Sequence, residues 1–387
     1  MRNTTIKNAY FYDKNGLPKF GLTEDTLIST LPEEDVKKYP ELYISKYPAL
    51  ADCVENPVED LKKYFNNFVN HLNSPESEGR LTITDEITDA IVAAKTKHPK
   101  HFGDDMKYVV IEAFEGDYEN FNMMSSLATD DIRAKGQKNK SMSVEKYYLS
   151  RKNKRLILHV LLKLCENDGV NYSDLPVYKR KYYIREAVFN IYGKFFECTT
   201  HRPIIPAMIY RLFGAKKVYD TSAGWGDRML AAMALGIDYT GVDPNVRLIK
   251  GHKFLIDTIN PQQSTKVITS CAEKFNPNDE FDGMYTSPPF YTLECYSNDK
   301  TQSINYKGFN SWMNDFLFKM LENCIQCVKN DGFIAINIIN WRDYNILDSM
   351  ITHMIDVKKQ KFHGFIWYRG GKEGMQVSPI AVFKVVK

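Results

Sequence analysis

In the second half of the chain, short apolar runs alternate with segments of helical periodicity. The apolar runs predict five strands: KKVYD (216–220), DYTGVD (238–243), TKVITS (265–270), FDGMYTS (281–287) and GFIAINII (332–339). The segments between them predict three helices: DRMLAAMALG (227–236), NVRLIKGHKFLIDTI (245–259) and FNSWMNDFLFKMLENCIQCVK (309–329). Two last runs, FHGFIWYRG (362–370) and SPIAVFKVV (378–386), predict a closing antiparallel pair. Such alternation is typical of an α/β protein with a largely parallel sheet.

The first half has a different pattern. Helical periodicity is clear in NPVEDLKKYFNNFVNHL (56–72) and NKRLILHVLLKLCEN (153–167), and polar stretches separate these segments. We therefore predict two domains, a mostly helical N-terminal domain over residues 1–195 and an α/β domain over residues 196–387.

Charge is unevenly distributed along the 387 residues, although the net charge is only +3. Residues 21–60 hold ten acidic and three basic side chains, whereas residues 132–155 hold nine basic side chains and one Glu. The basic run, which includes Tyr147 and Tyr148, favours contact with a nucleic-acid backbone. A solvated loop is an equally good interpretation. The predicted contacts are Arg133, Lys135, Lys138, Lys140, Arg151, Lys152, Lys154 and Arg155.

The seven cysteines are scattered, and only Cys324 and Cys327 form a CxxC pair. That pair falls in a predicted helix without a second pair, so we predict buried thiols in a reducing compartment and no metal site. The amino terminus has no apolar core of a signal peptide, and no run approaches the length of a membrane span. We expect an intracellular protein, cytoplasmic or nuclear, without a membrane partner.

A turn rich in small residues follows the first predicted strand of the α/β domain. Gly224 and Gly226 let the backbone approach a ligand closely, and Asp243, at the end of the next strand, is placed to accept ribose hydroxyls. The third glycine of a GxGxxG loop is absent, and an acidic residue follows Gly226. The turn therefore favours a nucleoside that carries a positive centre over one that carries a pyrophosphate.

The fourth predicted strand ends in Ser287-Pro288-Pro289-Phe290, which cannot continue a sheet because proline lacks an N–H. The two prolines form a rigid corner. We expect this corner to present a hydroxyl, outward-facing carbonyls and an aromatic ring at the end of the strand.

The glycine turn, the acidic strand end and this corner together resemble the class I S-adenosylmethionine-dependent amino-methyltransferases, over about residues 196–387. The resemblance implies a Rossmann-like class I methyltransferase sheet and S-adenosylmethionine as cofactor. It implies catalytic roles for Ser287, Pro288, Pro289 and Phe290. The Ser287 hydroxyl and the Pro288 carbonyl would accept both hydrogens of an exocyclic amine, which shifts its nitrogen toward sp³ and stabilises developing positive charge. Phe290 would stack on the base that carries the amine. It also implies a set of cofactor-binding residues, which are Asp220, Thr221, Ser222, Ala223, Gly224, Trp225, Gly226, Asp243, Cys271, Ala272, His201, Arg202 and Pro203.

Within that group, serine at the first position of the corner is more often found in cytosine-N4 enzymes, so DNA cytosine N4 is the preferred substrate. Adenine N6 in DNA or RNA, including adenosine near an mRNA cap, stays open. So does a non-catalytic partner subunit with the same fold, and the oligomeric state is open between a homodimer and such a complex. Methylation of protein glutamine is disfavoured because Asn is expected at position 287.

Several of these residues have a structural alternative. Asp243 is also suited to cap the following helix, and this role can coexist with ribose binding. His201, Arg202 and Pro203 are suited to capping the helix after them, Cys271 to an ordinary core position, and Trp225 to bracing the turn.

Overall fold

The structure, a computed structural model, describes residues 37–78, 81–84, 108–113, 115–138, 140–370 and 378–387. The bounds of its strands, numbered in chain order, are β1 Leu81–Thr84, β2 Tyr108–Ala113, β3 Gln137–Lys138, β4 Lys217–Asp220, β5 Asp238–Val242, β6 Thr265–Ile268, β7 Phe281–Thr286, β8 Glu294–Cys295, β9 Val328–Asn337, β10 Lys361–Gly370 and β11 Ser378–Lys384.

Nine strands form one mixed sheet in the order β1-β2-β10-β11-β9-β7-β4-β5-β6. Strands β6, β5, β4, β7 and β9 are parallel to their neighbours in this order. Strand β11 lies antiparallel between β9 and β10. The remaining two strands, β3 and β8, form a separate antiparallel pair.

The α-helices are α1 Pro57–Leu72, α2 Pro75–Glu78, α3 Glu115–Arg133, α4 Val144–Leu149, α5 Arg151–Asn167, α6 Val177–Val188, α7 Lys194–Phe196, α8 Ile204–Leu212, α9 Asp227–Ala234, α10 Ile249–Ile259, α11 Phe309–Ser311, α12 Lys319–Cys327 and α13 Ile346–Thr352. Three π-helical segments are Phe189–Gly193, Trp312–Phe318 and His353–Val357. Short 3₁₀ helices are Pro40–Tyr43, Leu50–Cys53, Tyr172–Asp174, Val246–Leu248, Ala272–Lys274 and Ser303–Asn305.

The predicted fold class is confirmed: the chain is α/β, with a Rossmann-like sheet closed by an antiparallel pair. All seven predicted strands are present as β4, β5, β6, β7, β9, β10 and β11. Nearly continuous burial of several of these strands is the reason that the apolar runs were readable, as in β7, where five of six residues are buried.

Two details differ from the sequence analysis. Strands β1 and β2, from the first half of the chain, join the large sheet, and β2 pairs in parallel with β10. The predicted helix over 309–329 is interrupted by the π segment Trp312–Phe318 and ends at Cys327, because Val328 already pairs with Phe281 in the sheet. Periodicity of the apolar residues continues through the interruption, so the sequence could not show it.

The described residues group into two compact units. Unit 2 comprises Val58–Thr129, Thr200–Leu293 and Ser297–Lys387 and contains the large sheet. Its core packs apolar side chains of β7, β9 and β11 against the segment around Trp312 and Met320, both fully buried. The predicted division into domains over residues 1–195 and 196–387 stays a prediction.

Unit 1 comprises the described residues up to Pro57 together with Asp130–Thr199 and Glu294–Tyr296, and holds the β3–β8 pair. Its core gathers Tyr148 from α4 with the apolar faces of α5 and α6. Among its buried polar groups, Asp130 accepts hydrogen bonds from Arg133 at 2.6 Å and from Arg185 at 3.1 and 3.2 Å.

No helix in the described ranges combines the length and apolar character that a bilayer crossing requires. The amino-terminal residues on which the signal-peptide expectation falls lie outside the described residues. The compartment therefore stays a prediction.

Close contact between Gly283 on β7 and Phe333 on β9 provides a test of packing in the sheet. A Cβ atom built on Gly283 would lie 2.1 Å from the ring of Phe333 on β9. We expect Gly283→Ala to lower the free energy of unfolding by about 1–3 kcal/mol, because an added methyl group in a close-packed core forces its neighbours apart. Urea unfolding measures the loss.

The double variant Gly283→Ala/Phe333→Leu is the control for this test. Removing the ring makes room for the methyl group, so the two losses should be less than additive. Strict additivity would contradict the proposed clash.

Candidate functional site

The glycine turn and the diproline corner lie at the same edge of the sheet in unit 2. Strands β4 and β7 are parallel neighbours, and their carboxyl ends are Asp220 and Thr286. The Thr286 hydroxyl donates to Asp220 Oδ1 at 2.9 Å, and the Thr221 hydroxyl lies 3.1 Å from the Thr286 hydroxyl. The chain reverses direction across the sheet between β4 and β7, and such a switch point is where open α/β sheets bind ligands.

The carboxylate of Asp220 lies at the centre of the hydrogen bonds that join the ends of β4 and β7. It is 0% exposed and accepts hydrogen bonds from Arg228 Nε at 2.8 Å, Tyr239 Oη at 2.6 Å, Thr286 Oγ1 and the Ser222 N–H at 3.1 Å. Four donors use the four lone-pair directions of a carboxylate. Asp220 is therefore engaged inside the protein, where it holds the turn.

Arg228, on α9, completes this arrangement. Burial alone would lower the pKa of its guanidinium, but the adjacent Asp220 and Tyr239 raise the pKa above the ordinary value. Its second nitrogen donates to the Ser222 carbonyl. One buried cation thus connects the end of β4 to the turn that follows it.

The two glycines of the turn have backbone conformations that disfavour other residues. Gly224 has φ +54° and Gly226 has φ +99°, and a Cβ on Gly226 would lie 2.9 Å from Leu255. The Gly224 carbonyl contacts His252 Nε2 at 2.7 Å. Burial lowers the pKa of His252, which favours the neutral ring.

Asp243 is half-buried at the end of β5. Its Oδ2 accepts the Gly224 N–H and its Oδ1 accepts the Asn245 N–H, both at 2.9 Å. Burial raises the pKa of this carboxyl, and these bonds oppose the rise. Because each oxygen accepts one of these bonds, each keeps a lone pair that can accept a ribose hydroxyl. The capping role considered for Asp243 belongs to Asn245, which caps the 3₁₀ helix Val246–Leu248.

The remaining residues predicted to bind cofactor differ in accessibility. Thr221, Ala223 and Trp225 are at most 7% exposed, and the Ala223 N–H donates to the Val242 carbonyl. Ser222 is half-buried beside Gly224. Of the pair after β6, Ala272 is buried, whereas Cys271 is half-buried and burial raises the pKa of its thiol.

The segment before α8 contacts β7, the strand that precedes the diproline corner. Tyr285 Oη is 2.7 Å from His201 Nε2, and the His201 N–H donates to Asp227 Oδ2 at 3.1 Å. Burial holds the pKa of His201 well below its ordinary value, which favours a neutral ring. Pro203 occupies the N-cap position of α8 and the Arg202 carbonyl accepts the Ile205 N–H, so the capping alternative describes these two residues.

At the corner itself, Ser287, Pro289 and Phe290 are half-buried and Pro288 is buried. The next residue, Tyr291, has φ +51°, a strained conformation for a side chain of this size. Its ring packs 4.8 Å from that of Tyr344 and 5.6 Å from that of Trp312. These aromatic contacts come from elements far along the chain and hold the corner in its bend.

The residues predicted to contact nucleic acid lie in unit 1, and the structure separates them into two groups. Arg133 is buried and pairs with Asp130 at 2.6 Å and Glu197 at 2.8 Å. Lys154 is buried, donates to the Leu42 carbonyl at 2.7 Å and lies 3.2 Å from the centre of the Tyr148 ring. Neither Arg133 nor Lys154 is therefore accessible for the predicted contact with nucleic acid. The exposed or half-buried members are Lys135, Lys138, Lys140, Arg151, Lys152 and Arg155.

Sequence reasoning missed several residues that lie outside the two motifs and hold the glycine turn and the diproline corner in place. Arg228, Tyr239 and Thr286 act through Asp220, and Tyr344 acts through Tyr291. Only Arg228 gave a local signal, as a basic residue directly after the turn. In the part of the chain that the structure describes, no cluster of three or more His, Cys, Asp or Glu is arranged to hold a metal.

Asp220 gives a test of how the corner is held. Asp220→Asn keeps the size of the side chain but leaves Arg228 as an unpaired buried cation, so we expect a loss of about 3–5 kcal/mol in the free energy of unfolding. Tyr239→Phe, the matched control, removes one of four donors and should cost about 1.5–3 kcal/mol. Denaturant titration measures both. An equal or smaller loss in Asp220→Asn would show that the ion pair is not the main constraint.

Lys154 gives a test of pH dependence in unit 1. Burial lowers its pKa to about 7 in the folded protein, against about 10.4 in the unfolded chain. Between these values the unfolded chain binds more protons, so this residue makes the free energy of unfolding rise with pH, by at most about 1.4 kcal/mol per pH unit. Unfolding measured from pH 7 to 9.5 should show a smaller rise in Lys154→Met than in the unchanged protein. Lys163→Met, a more exposed lysine on the same helix, should keep the full rise, and an unchanged slope in Lys154→Met would refute the assignment.

The sequence matches no known family profile and no curated protein. Similar solved structures include an rRNA methylase from Streptococcus thermophilus (11% identity, TM-score 0.33, covering 49% of this chain and 100% of that one). Another is the N-methyltransferase NodS from Bradyrhizobium japonicum WM9 (11% identity, TM-score 0.33, 47% and 95%). A third is a 16S rRNA N2 methyltransferase from T. thermophilus, solved with AdoMet and guanosine (13% identity, TM-score 0.33, 49% and 44%). Similarity at this level supports no conclusion about activity, and the α/β fold class rests on this chain's own sheet.

Proposed function

We propose that the protein transfers a methyl group from S-adenosylmethionine to the exocyclic amine of a nucleic-acid base. The observation that carries the proposal is the contact between Thr221, Thr286 and Asp220, which joins a glycine turn to a Ser-Pro-Pro-Phe corner at one edge of the sheet. A methyl donor held by the turn lies beside an amine held by the corner, and this proximity removes much of the entropic barrier.

The residues of the turn fit the proposed cofactor. Gly224 has no Cβ to block close approach, and Asp243 keeps acceptor capacity for ribose hydroxyls. Cys271 is accessible at the end of β6, where an adenine ring would lie. S-adenosylmethionine supplies an electrophilic methyl group on a sulfonium when bound. The neutral rings of His201 and His252 add no positive charge beside a cationic ligand.

The corner supplies the acceptors that the reaction needs. The Ser287 hydroxyl and the Pro288 carbonyl hold the two amine hydrogens, and they stabilise the positive charge that develops on nitrogen. Phe290, half-buried at the corner, stacks on the base. Once the nitrogen carries the methyl group it is acidic, so its proton leaves to water without a dedicated base.

Cytosine N4 in DNA is the proposed target because serine occupies position 287. Adenine N6 in DNA or RNA is the alternative, and the corner is compatible with both because each base carries its amine beside an unprotonated ring nitrogen. The proposed backbone contacts are the accessible cations Lys135, Lys138, Lys140, Arg151, Lys152 and Arg155.

The test is mass spectrometry of nucleosides from cells that express the protein. We expect 4-methylcytosine, or otherwise 6-methyladenine, with the unchanged protein and neither with Ser287→Ala/Phe290→Ala, because the variant lacks one acceptor and the stacking ring. Ser349→Ala, on α13, is the control that keeps the methylated base. Absence of both bases from DNA and RNA with the unchanged protein would refute the proposal.

Two measurements separate the alternatives. Sensitivity of radiolabelled methyl transfer to DNase or to RNase identifies the nucleic acid. Isothermal titration with S-adenosylmethionine tests for a non-catalytic partner subunit, since no binding together with no methylated base would favour that function.

A further inference from the structure

A polar residue at the end of an apolar strand lies next to the diproline corner. Strands β7 and β9 are parallel neighbours, and their register pairs Thr286 with Ile336. The next residues along the chain are Ser287, directly after β7, and Asn337, the last residue of β9. Asn337 therefore reaches the same carboxyl edge as the corner, one strand away from it.

Alternation along β9 determines the face of the sheet to which Asn337 points. Ile336 and Ile338 pack in the core of unit 2, so Asn337 points to the opposite face, the face of Phe333. Phe333 fills the space over Gly283, so Asn337 shares the face of the sheet on which β7 carries Gly283. Ser287, the residue directly after β7, lies at the same carboxyl edge.

Asn337 is only 5% exposed, yet its carboxamide makes no hydrogen bond with any residue in the described part of the chain, and the Ser287 hydroxyl makes none either. A nearby carboxamide shows the usual arrangement: Asn340 Oδ1 accepts the Leu347 N–H at 2.8 Å and its Nδ2 donates to Asp348 at 3.3 Å. A nearly buried residue whose carboxamide has no protein partner, beside the proposed catalytic corner, is available to a ligand.

We propose that Asn337 recognises the base that is methylated, an inference that rests on the proposed function. Its carbonyl oxygen shares one amine hydrogen with the Ser287 hydroxyl while the Pro288 carbonyl holds the other, and its NH₂ group donates to the ring nitrogen next to the amine. A carboxamide carries this acceptor–donor pair in one plane. The substrate class is therefore a base whose exocyclic amine adjoins an unprotonated ring nitrogen, which is the edge that cytosine and adenine share. Asn337 and Ser287 approach the amine from neighbouring strands.

Binding provides a readout that needs no turnover. In the presence of S-adenosylhomocysteine, the unchanged protein should bind a single-stranded oligonucleotide with the target base more tightly than the same strand with an abasic position there. In Asn337→Ala this preference should fall about 10- to 100-fold, the usual contribution of a bidentate contact to a base. Affinity for S-adenosylhomocysteine should stay within about twofold, since Asn337 lies outside the turn.

A second variant separates base contact from packing. Asn337→Asp keeps the acceptor and loses the donor at neutral pH, and protonation restores a donor. Its kcat/KM, relative to that of the unchanged protein, should therefore rise as pH falls toward the Asp pKa. Asn340→Ala is the matched control, in which a partnered carboxamide is removed: we expect a lower thermal midpoint but an unchanged preference for the base.

The inference is overturned if Asn337→Ala keeps the full preference for the base, or if the pH profile of Asn337→Asp follows that of the unchanged protein. Failure of the proposed function gives a different result, since the unchanged protein would then transfer no methyl group to any base.

Discussion

The buried carboxylate of Asp220 is the constraint on which the site depends. A charge removed from water must be surrounded by donors, and here the donors come from α9, β5, β7 and the turn itself. Satisfying that one group therefore fixes the distance between the turn after β4 and the corner after β7. The geometry proposed for catalysis is a consequence of how a structural charge is solvated.

Polar groups at this edge of the sheet differ in how much of their hydrogen-bonding capacity the protein uses. Asp220 is fully engaged, Asp243 is half engaged, and the side chains of Ser287 and Asn337 are bonded to nothing within the described residues. Full engagement makes a group part of the scaffold, whereas unused capacity in a buried or half-buried group is available to a ligand. This gradient separates the residues that hold the site from those that are positioned to act in it.

Unit 1 also contains a buried carboxylate, Asp130, that is stabilised by surrounding hydrogen-bond donors. Burial alone would raise the pKa of Asp130, but Arg185 and Arg133 lower it to about 2, so the carboxylate stays charged inside the unit. The consequence for function is that Arg133 is used in the scaffold. A basic run in the sequence therefore contains both scaffold cations and accessible ones, and only the accessible ones can meet a phosphate backbone.

Periodicity in the sequence was sufficient to predict the fold class, seven strands of the sheet, and the positions of the turn and the corner along the chain. Strands that are buried on both faces appear in the sequence as continuous apolar runs, which a local pattern can show. The sequence did not reveal the donors around Asp220, the aromatic support of Tyr291, the burial of Arg133 and Lys154, or the addition of β2 beside β10. These depend on contacts between residues far apart in the chain, and local pattern shows which way a side chain faces but not what it meets. Asn337 illustrates the difference. The sequence shows a polar residue within GFIAINII, but only the register of β7 and β9 places it beside Ser287.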